Sequence, residues 1–401
     1  MLASRMSRVS ASPTLKVLVE AEQLRRQGVD VVDFGAGEPD FPTPAHAKAE
    51  AVRAIEENFT KYTPAAGIIE LKQAIAARYR ADYGVSFTEP EIIVTAGGKQ
   101  ALYNVAMVLY QAGDEVITHA PYWPTIVEQI KLADATPVVV HTRAEEGFTV
   151  HPEAIIDAIT SRTKAIIINS PCNPTGAVAS EEQIAAIADV AARRGIWMVL
   201  DLCYEKLIYE SVPHNLPKVL TDRMRDRTIL ACSASKAYSM TGWRCGWTIG
   251  PAALIAACNA LQSHSTSNAA SISQRAALAA LTGPQEPVGE MLNEYRKRRD
   301  NLHAWLTADP RIECVKPAGA FYLFPRITRL LSPGGLQTSA EFAQALLDEA
   351  RVALTAGEGF DAPGYLRISY ATSIERLREG TNRLMNFVRT LEQKGKAIAA
   401  S

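Results

Sequence analysis

One short stretch concentrates the groups that covalent chemistry needs. Ser233-Ala234-Ser235-Lys236-Ala237-Tyr238-Ser239-Met240-Thr241-Gly242-Trp243-Arg244 places several hydroxyls, an amine and a guanidinium in one loop. It follows residues 228–232, an apolar run that predicts a buried strand. Ser233, Ser235 and Arg244 can hold the oxygens of a phosphate while the amine of Lys236 reaches a carbonyl carbon. A neighbouring cation and partial burial lower a lysine's pKa, which favours the neutral nucleophile. An ordinary surface position is the competing reading for Lys236 taken alone.

Further groups follow other apolar runs. Thr95-Ala96-Gly97-Gly98-Lys99-Gln100 opens a helix, and N–H groups at Gly97 and Gly98 form an anion site that no side chain obstructs. The stretch is neither a Walker motif nor a full dinucleotide fingerprint, so a monophosphate fits it better than a triphosphate. Trp123, in Pro121-Tyr122-Trp123-Pro124, offers a flat surface to an aromatic ring, or fills a core. Asn169-Ser170-Pro171-Cys172-Asn173-Pro174-Thr175-Gly176 reads as a turn, in which the Asn173 amide can donate to a phenolic oxygen. Asp201 ends a buried run and needs a cation or donor. A protonated ring nitrogen would serve, and so would a helix cap; Tyr204 follows three residues on. Arg367 sets a forked donor among apolar residues and calls for a carboxylate, which a substrate can supply. The Gly- and Pro-rich segment 35–44 is an extended loop whose glycines, Gly37 among them, allow close approach to a small molecule; a plain interdomain connection reads equally well.

These groups need a scaffold. Apolar runs at residues 91–95, 115–118, 136–140, 164–169, 197–201, 228–232 and 247–250 alternate with helical patterns such as 99–110 and 180–194. Continuously apolar strands between helices predict an α/β fold with a mostly parallel seven-stranded sheet covered on both faces. Ligands in such folds sit beyond the carboxyl ends of the strands, where the candidate residues fall. Helical patterns at 15–27, 290–306, 339–350 and from 374, with strands at 31–34 and 365–370, predict a smaller α+β unit. The expected division is an N-terminal arm at 1–45 that joins the small domain, a large domain at 46–289 and the remaining small domain at 290–401.

Composition narrows the partners. A net charge of −1 over 401 residues gives no field to gather polyanions, which argues against nucleic acid and anionic membrane. No apolar stretch approaches the roughly 20 residues that span a bilayer. Six scattered cysteines without C-x-x-C spacing disfavour a metal site and a disulfide framework, and fit a reducing, cytoplasmic setting.

Taken together, the motifs resemble the class I aminotransferases that depend on pyridoxal 5'-phosphate (PLP). The resemblance covers about residues 10–391 and rests on motifs in the family's order: the loop 35–41, Lys61-Tyr62 before Pro64-Ala65-Ala66-Gly67, Gly97-Gly98-Lys99, Tyr122-Trp123, Asn173-Pro174-Thr175-Gly176, Asp201 with Tyr204, residues 233–244, and Arg367. It implies the fold-type I architecture and a homodimer with active sites at the subunit interface. It implies that Lys236 forms the Schiff base with PLP and Asp201 pairs with the pyridine nitrogen. Asn173 and Tyr204 would contact the ring hydroxyl, and Trp123 would stack on the ring. Gly98, Ser233, Ser235 and Arg244 would hold the phosphate, with Tyr62 reaching in from the partner subunit. Arg367 would take the substrate α-carboxylate, helped by Asn173 and the Gly37 backbone. Leu202 departs from the acidic residue expected after the aspartate, and Cys203 from a more usual aliphatic.

The subgroup that it resembles most contains bacterial aspartate and aspartate/prephenate aminotransferases. Lys99, Ser12 and Thr14 can there serve a second carboxylate, which favours aspartate with 2-oxoglutarate as acceptor and ping-pong kinetics; Lys99 could also simply face solvent. Aromatic, alanine, kynurenine or prephenate substrates are the alternatives within transamination. A PLP-dependent C–S lyase or a PLP-binding regulator lies further off.

Overall fold

The computed structural model describes residues 4–9, 13–209, 212–331 and 335–400. After β1 (Val32–Asp33), the chain builds a seven-stranded sheet from β2 (Ile92–Thr95), β3 (Glu115–Ala120), β4 (Thr136–His141), β5 (Thr163–Asn169), β6 (Trp197–Asp201), β7 (Thr228–Ser233) and β8 (Gly246–Ile249), in the order β2-β8-β7-β6-β5-β3-β4. Each expected strand is present within two residues. The reason they read as unbroken apolar runs is visible in the packing. Val199, Ile229 and Ala231 join one buried cluster on one face of the sheet, while Met198, Leu200, Leu230 and Cys232 join another on the opposite face. Alternate side chains point to opposite faces, and helices cover both.

Six strands run in one direction and β8 runs against its two neighbours. The segment between β7 and β8 contains only the one-turn helix Ala234–Ala237, so the chain turns back instead of crossing over. This return pairs Ser233 with Gly246 and Gly246 with Thr95. Three strand ends, and the loop that carries Lys236, are thereby held at one edge of the sheet. The helix Glu181–Arg194 between β5 and β6 has both end signals its sequence predicts: a Ser180/Gln183 capping box and a left-handed Gly195.

The remaining strands, β9 (Tyr322–Leu323), β10 (Val352–Ala353), β11 (Thr355–Ala356) and β12 (Leu366–Ser369), form an antiparallel β11-β12-β9 sheet and a parallel β1-β10 pair. N-terminal β1 is thus bonded to the C-terminal part of the chain. A second core, with Phe34, Tyr295, Phe321, Phe342, Leu377 and Phe387, fills this region; it also takes in Tyr204 and Leu207 from the segment after β6. Among the described residues no helix is long and apolar enough to cross a membrane, and no group of three His, Cys, Asp or Glu side chains could hold a metal ion. All six cysteines are free.

Candidate active site

A cavity of about 390 Å³ opens at the carboxyl ends of β2, β5, β6 and β7. It is lined by Gly37, Gly98, Lys99, Trp123, Asn173, Asp201, Tyr204, Ser233, Ser235, Lys236, Arg244 and Arg367, and so brings together residues 330 positions apart in sequence.

Its floor is a close meeting of backbones. Gly97 has a φ of 84°, in the region that favours glycine, and a Cβ there would lie 2.7 Å from a guanidinium nitrogen of Arg244. A Cβ on Gly98 would lie 2.7 Å from Cys203 Sγ, and one on Gly246 would lie 2.6 Å from the Gly98 nitrogen. Only glycines let the three strand ends converge on the first turn of the helix Gly98–Leu109, whose free N–H groups favour an anion. Arg244 itself has a φ of 53°, uncommon for a residue with a side chain, and its guanidinium donates to Thr241 O at 2.9 Å. Ser233 caps the one-turn helix that carries Lys236. Gly97 lies behind this floor, against Arg244, and does not line the cavity.

Lys236 Nζ donates to the Gly37 carbonyl and lies 5.8 Å and 5.7 Å from the ring centres of Tyr204 and Phe321. Burial pulls its pKa down to about 8; Arg367 and Arg244 push the same way, and Cys203 and Glu38 oppose them. The surface-lysine reading therefore fails. Asp201 is 2% exposed, and burial raises its pKa; one oxygen accepts from the Cys203 backbone N–H at 3.1 Å. No helix starts there, so the capping reading fails too. What remains is a buried carboxylate facing a cavity, a place for a cationic donor.

Arg367 is 3% exposed and forms no ion pair with a described residue. Its terminal nitrogens donate to Asn173 Oδ1 at 3.1 Å and Gly35 O at 2.9 Å, its plane lies over Tyr322 and Phe360, and its Nε has no partner among the described residues. A buried cation held by neutral groups is prepared for a carboxylate from outside. Because Asn173 Oδ1 receives Arg367, the Asn173 NH₂ is left to donate elsewhere. Trp123 borders the cavity and also touches the core beside it, so each reading of it holds in part. Lys99 Nζ stands 5.1 Å from the Trp123 ring centre; partial burial, then Arg244, lowers its pKa. It faces the cavity mouth as well as solvent.

The loop 35–44 is more than a connection. Gly35, Ala36, Gly37 and Glu38 form one cavity wall, and Thr43 and Glu38 bond to Ser239 and Thr241 in the Lys236 loop. Tyr62 lies outside the cavity and is 91% exposed, in a groove with Lys61, Thr266 and Ser267. Thr14 falls in the helix Pro13–Arg26; Ser12 is outside the described residues. Sequence reasoning overlooked Tyr322, whose hydroxyl meets that of Tyr204 at 2.7 Å, and Glu38, Asn169 and Thr241, which also line the cavity. The signal for Tyr322 was a phenol inside the apolar run 320–324, where a buried hydroxyl needs a partner.

A sequence profile described as "Aminotransferase class I and II" matches residues 29–384. The chain belongs to that family. This aminotransferase is 43% identical to the aspartate aminotransferase of Bacillus subtilis over 96% of its own length and 98% of that protein. It is 42% identical to the aspartate/prephenate aminotransferase of Cereibacter sphaeroides over 96% and 98%. The structure of Thermus thermophilus aspartate aminotransferase with maleate superposes with a TM-score of 0.91 at 42% identity, covering 97% of this chain and 99% of that one. The aminotransferase has the fold-type I architecture and depends on PLP. Its cavity suits that group: the glycine-walled floor leaves room for a phosphate, Asp201 forms no ion pair with a described residue, and Lys236, whose pKa burial lowers to about 8, lines the same cavity.

Proposed function

We propose that this aminotransferase moves the amino group of L-aspartate to 2-oxoglutarate, with Arg367 and Lys99 each binding one substrate carboxylate. The observation that carries the reading is one cavity lined by two cations beyond Lys236 and Arg244: buried Arg367, beside Asn173, and Lys99, at the mouth over Trp123. The names of the Bacillus and Thermus relatives support it. Prephenate is a second acceptor to test, because the Cereibacter relative is named for it.

In this assignment Gly98, Ser233, Ser235 and Arg244, with Gly97 behind them, would hold the PLP phosphate. Trp123 would cover the ring, Asn173 and Tyr204 would bind its hydroxyl, and Asp201 its nitrogen. Bound there, PLP supplies an electron-poor ring that accepts the electrons left when the substrate α-proton departs. Lys236 would hold the group covalently, and its Nζ would serve as the general base for that α-proton. Arg367, Asn173 and the Gly37 backbone fix the α-carboxylate, so that the Cα–H bond is presented to Nζ. The wall 35–38 and the aromatic rings of Tyr204, Phe321 and Tyr322 limit water around the amine.

We further assign residues 46–289 to a large PLP-binding domain and 1–45 with 290–401 to a small one, in a cytoplasmic homodimer. Val52, Ile55 and Ile69 are exposed apolar residues that suit a partner subunit, across which exposed Tyr62 would reach the phosphate. The test is to mix the PLP-loaded enzyme with single amino acids and follow the cofactor spectrum. Rapid conversion by aspartate and glutamate, with ping-pong kinetics, is expected; pyruvate release without an acceptor would indicate lyase chemistry instead. Lys99→Ala should lower kcat/KM for aspartate by about tenfold, the scale of one charge-assisted hydrogen bond, and leave alanine and phenylalanine nearly unchanged. Equal losses for all three would remove Lys99 from the side-chain pocket.

A further inference from the structure

Asn169 ends β5, is buried, and borders the cavity without being assigned to cofactor or substrate. Both polar atoms of its side chain and its backbone N–H are bonded. Its Oδ1 accepts the Asn173 backbone N–H at 2.8 Å, and its Nδ2 donates to the Asp201 carbonyl at 3.2 Å. Its own backbone N–H donates to Nε2 of buried His119, at the end of β3, at 3.3 Å. The ladder already aligns Asn169 with Asp201, so the strands do not need the side chain for their register. What the side chain adds is a tie to the next turn: it fixes the backbone of Asn173, whose Oδ1 receives Arg367.

We propose that Asn169 is a positioning residue, which couples the strand end bearing Asp201 to Asn173 and through it to the guanidinium of Arg367, with His119 as the acceptor that seats it. The two ends of the coupling are the carboxylate assigned to the cofactor nitrogen and the cation assigned to the substrate α-carboxylate. Their separation has to match that between ring nitrogen and substrate carboxylate within a fraction of an ångström. Asn173 bonds to Arg367 only through a side chain on a turn, and a turn needs bracing to be that exact. Asn169 braces it from a sheet strand. An imidazole can serve at position 119 only in its neutral form with Nε2 as acceptor, and burial, which pulls the His119 pKa down to about 4, maintains that form.

The inference rests on Arg367 as the α-carboxylate anchor, and the experiment separates the two. The probe is 2-methylalanine, which carries an α-carboxylate but no α-proton and no acidic side chain, so its binding is independent of the aspartate assignment. Its dissociation constant is measured by titrating the PLP-loaded enzyme and reading cofactor absorbance. Asn169→Ala should weaken it by about tenfold, the scale of one buried hydrogen bond, and should shift the pH midpoint of the cofactor band. In an Asn173→Ala background the same change should add almost nothing, because the link to Arg367 is already cut. Full additivity in the double variant, or unchanged affinity and band in Asn169→Ala, overturns the proposal. Should Asn169→Ala not fold, Asn169→Ser carries the same cycle, its hydroxyl keeping the turn solvated. Arg367→Lys, run in parallel, addresses the anchor: wild-type affinity in that variant would refute the anchor, whereas a loss there with none in the Asn169 variants would refute the positioning role alone.

Discussion

Replacing Lys236 by alanine is expected to lower kcat for aspartate by about 10⁴-fold, the upper end of what a positioned general base contributes. The variant loses the covalent hold on PLP as well, so its bound cofactor should show the spectrum of a free aldehyde. Added methylamine should restore part of the rate. The structural reason is the state of the amine: buried beside Arg367 and Arg244, Lys236 has its pKa drawn down to about 8. At pH 7 roughly one amine in ten is then neutral, against about one in a few thousand for an ordinary lysine. Loading of the PLP-free enzyme should accordingly quicken as pH rises toward about 8 and level off above it. A loading rate still climbing steeply at pH 10 would show that the amine is not desolvated as the cavity suggests.

The large sheet was legible because each of its strands is covered on both faces. Val199 and Leu200 are buried in different clusters, so neither could be polar, and the run stands out from the helices around it. β10 and β11, two residues each, are too short to leave a period, and their pairing depends on partners far away in sequence. Candidate residues were legible where a side chain made a local demand: Arg367 among apolar neighbours, Asp201 at the end of an apolar run. Tyr322 asked only for some hydroxyl partner without pointing to one, and Asn169 read as part of a turn. Tyr322 meets Tyr204 because β9 pairs with β12 and packs over the segment after β6, and Asn169 acts by joining two turns that adjoin only after the strands align. The direction of β8 also depends on tertiary structure, since an apolar strand reads the same either way. It matters here, because an antiparallel β8 brings Gly246 against Gly97 and Gly98 and so closes the anion floor.

Asp201→Asn should cost nearly as much as loss of the lysine, and its effects on stability should identify the cause. Removing one partner of a buried charged pair costs about 3–5 kcal/mol, which corresponds to roughly 10²- to 10⁴-fold in kcat. The effect on stability is opposite in the empty and the loaded enzyme. In the empty cavity burial raises the Asp201 pKa above its ordinary value of 3.8, so the folded state binds the proton more tightly than the unfolded chain. That contribution is present at low pH and lost as pH climbs through the raised value; at neutral pH the bare carboxylate is a burden on the fold. The amide relieves it. PLP-free Asp201→Asn should therefore melt at or above the temperature of the PLP-free wild type at pH 7, with the difference shrinking toward pH 4. Loaded with PLP the order should reverse, because only the carboxylate can balance a protonated ring nitrogen, and binding that favours the folded state raises its stability by linkage. Calorimetry of the four samples checks both halves. A variant less stable in both states would mean that Asp201 serves the fold, and the assignment of the ring nitrogen to this strand end would fall.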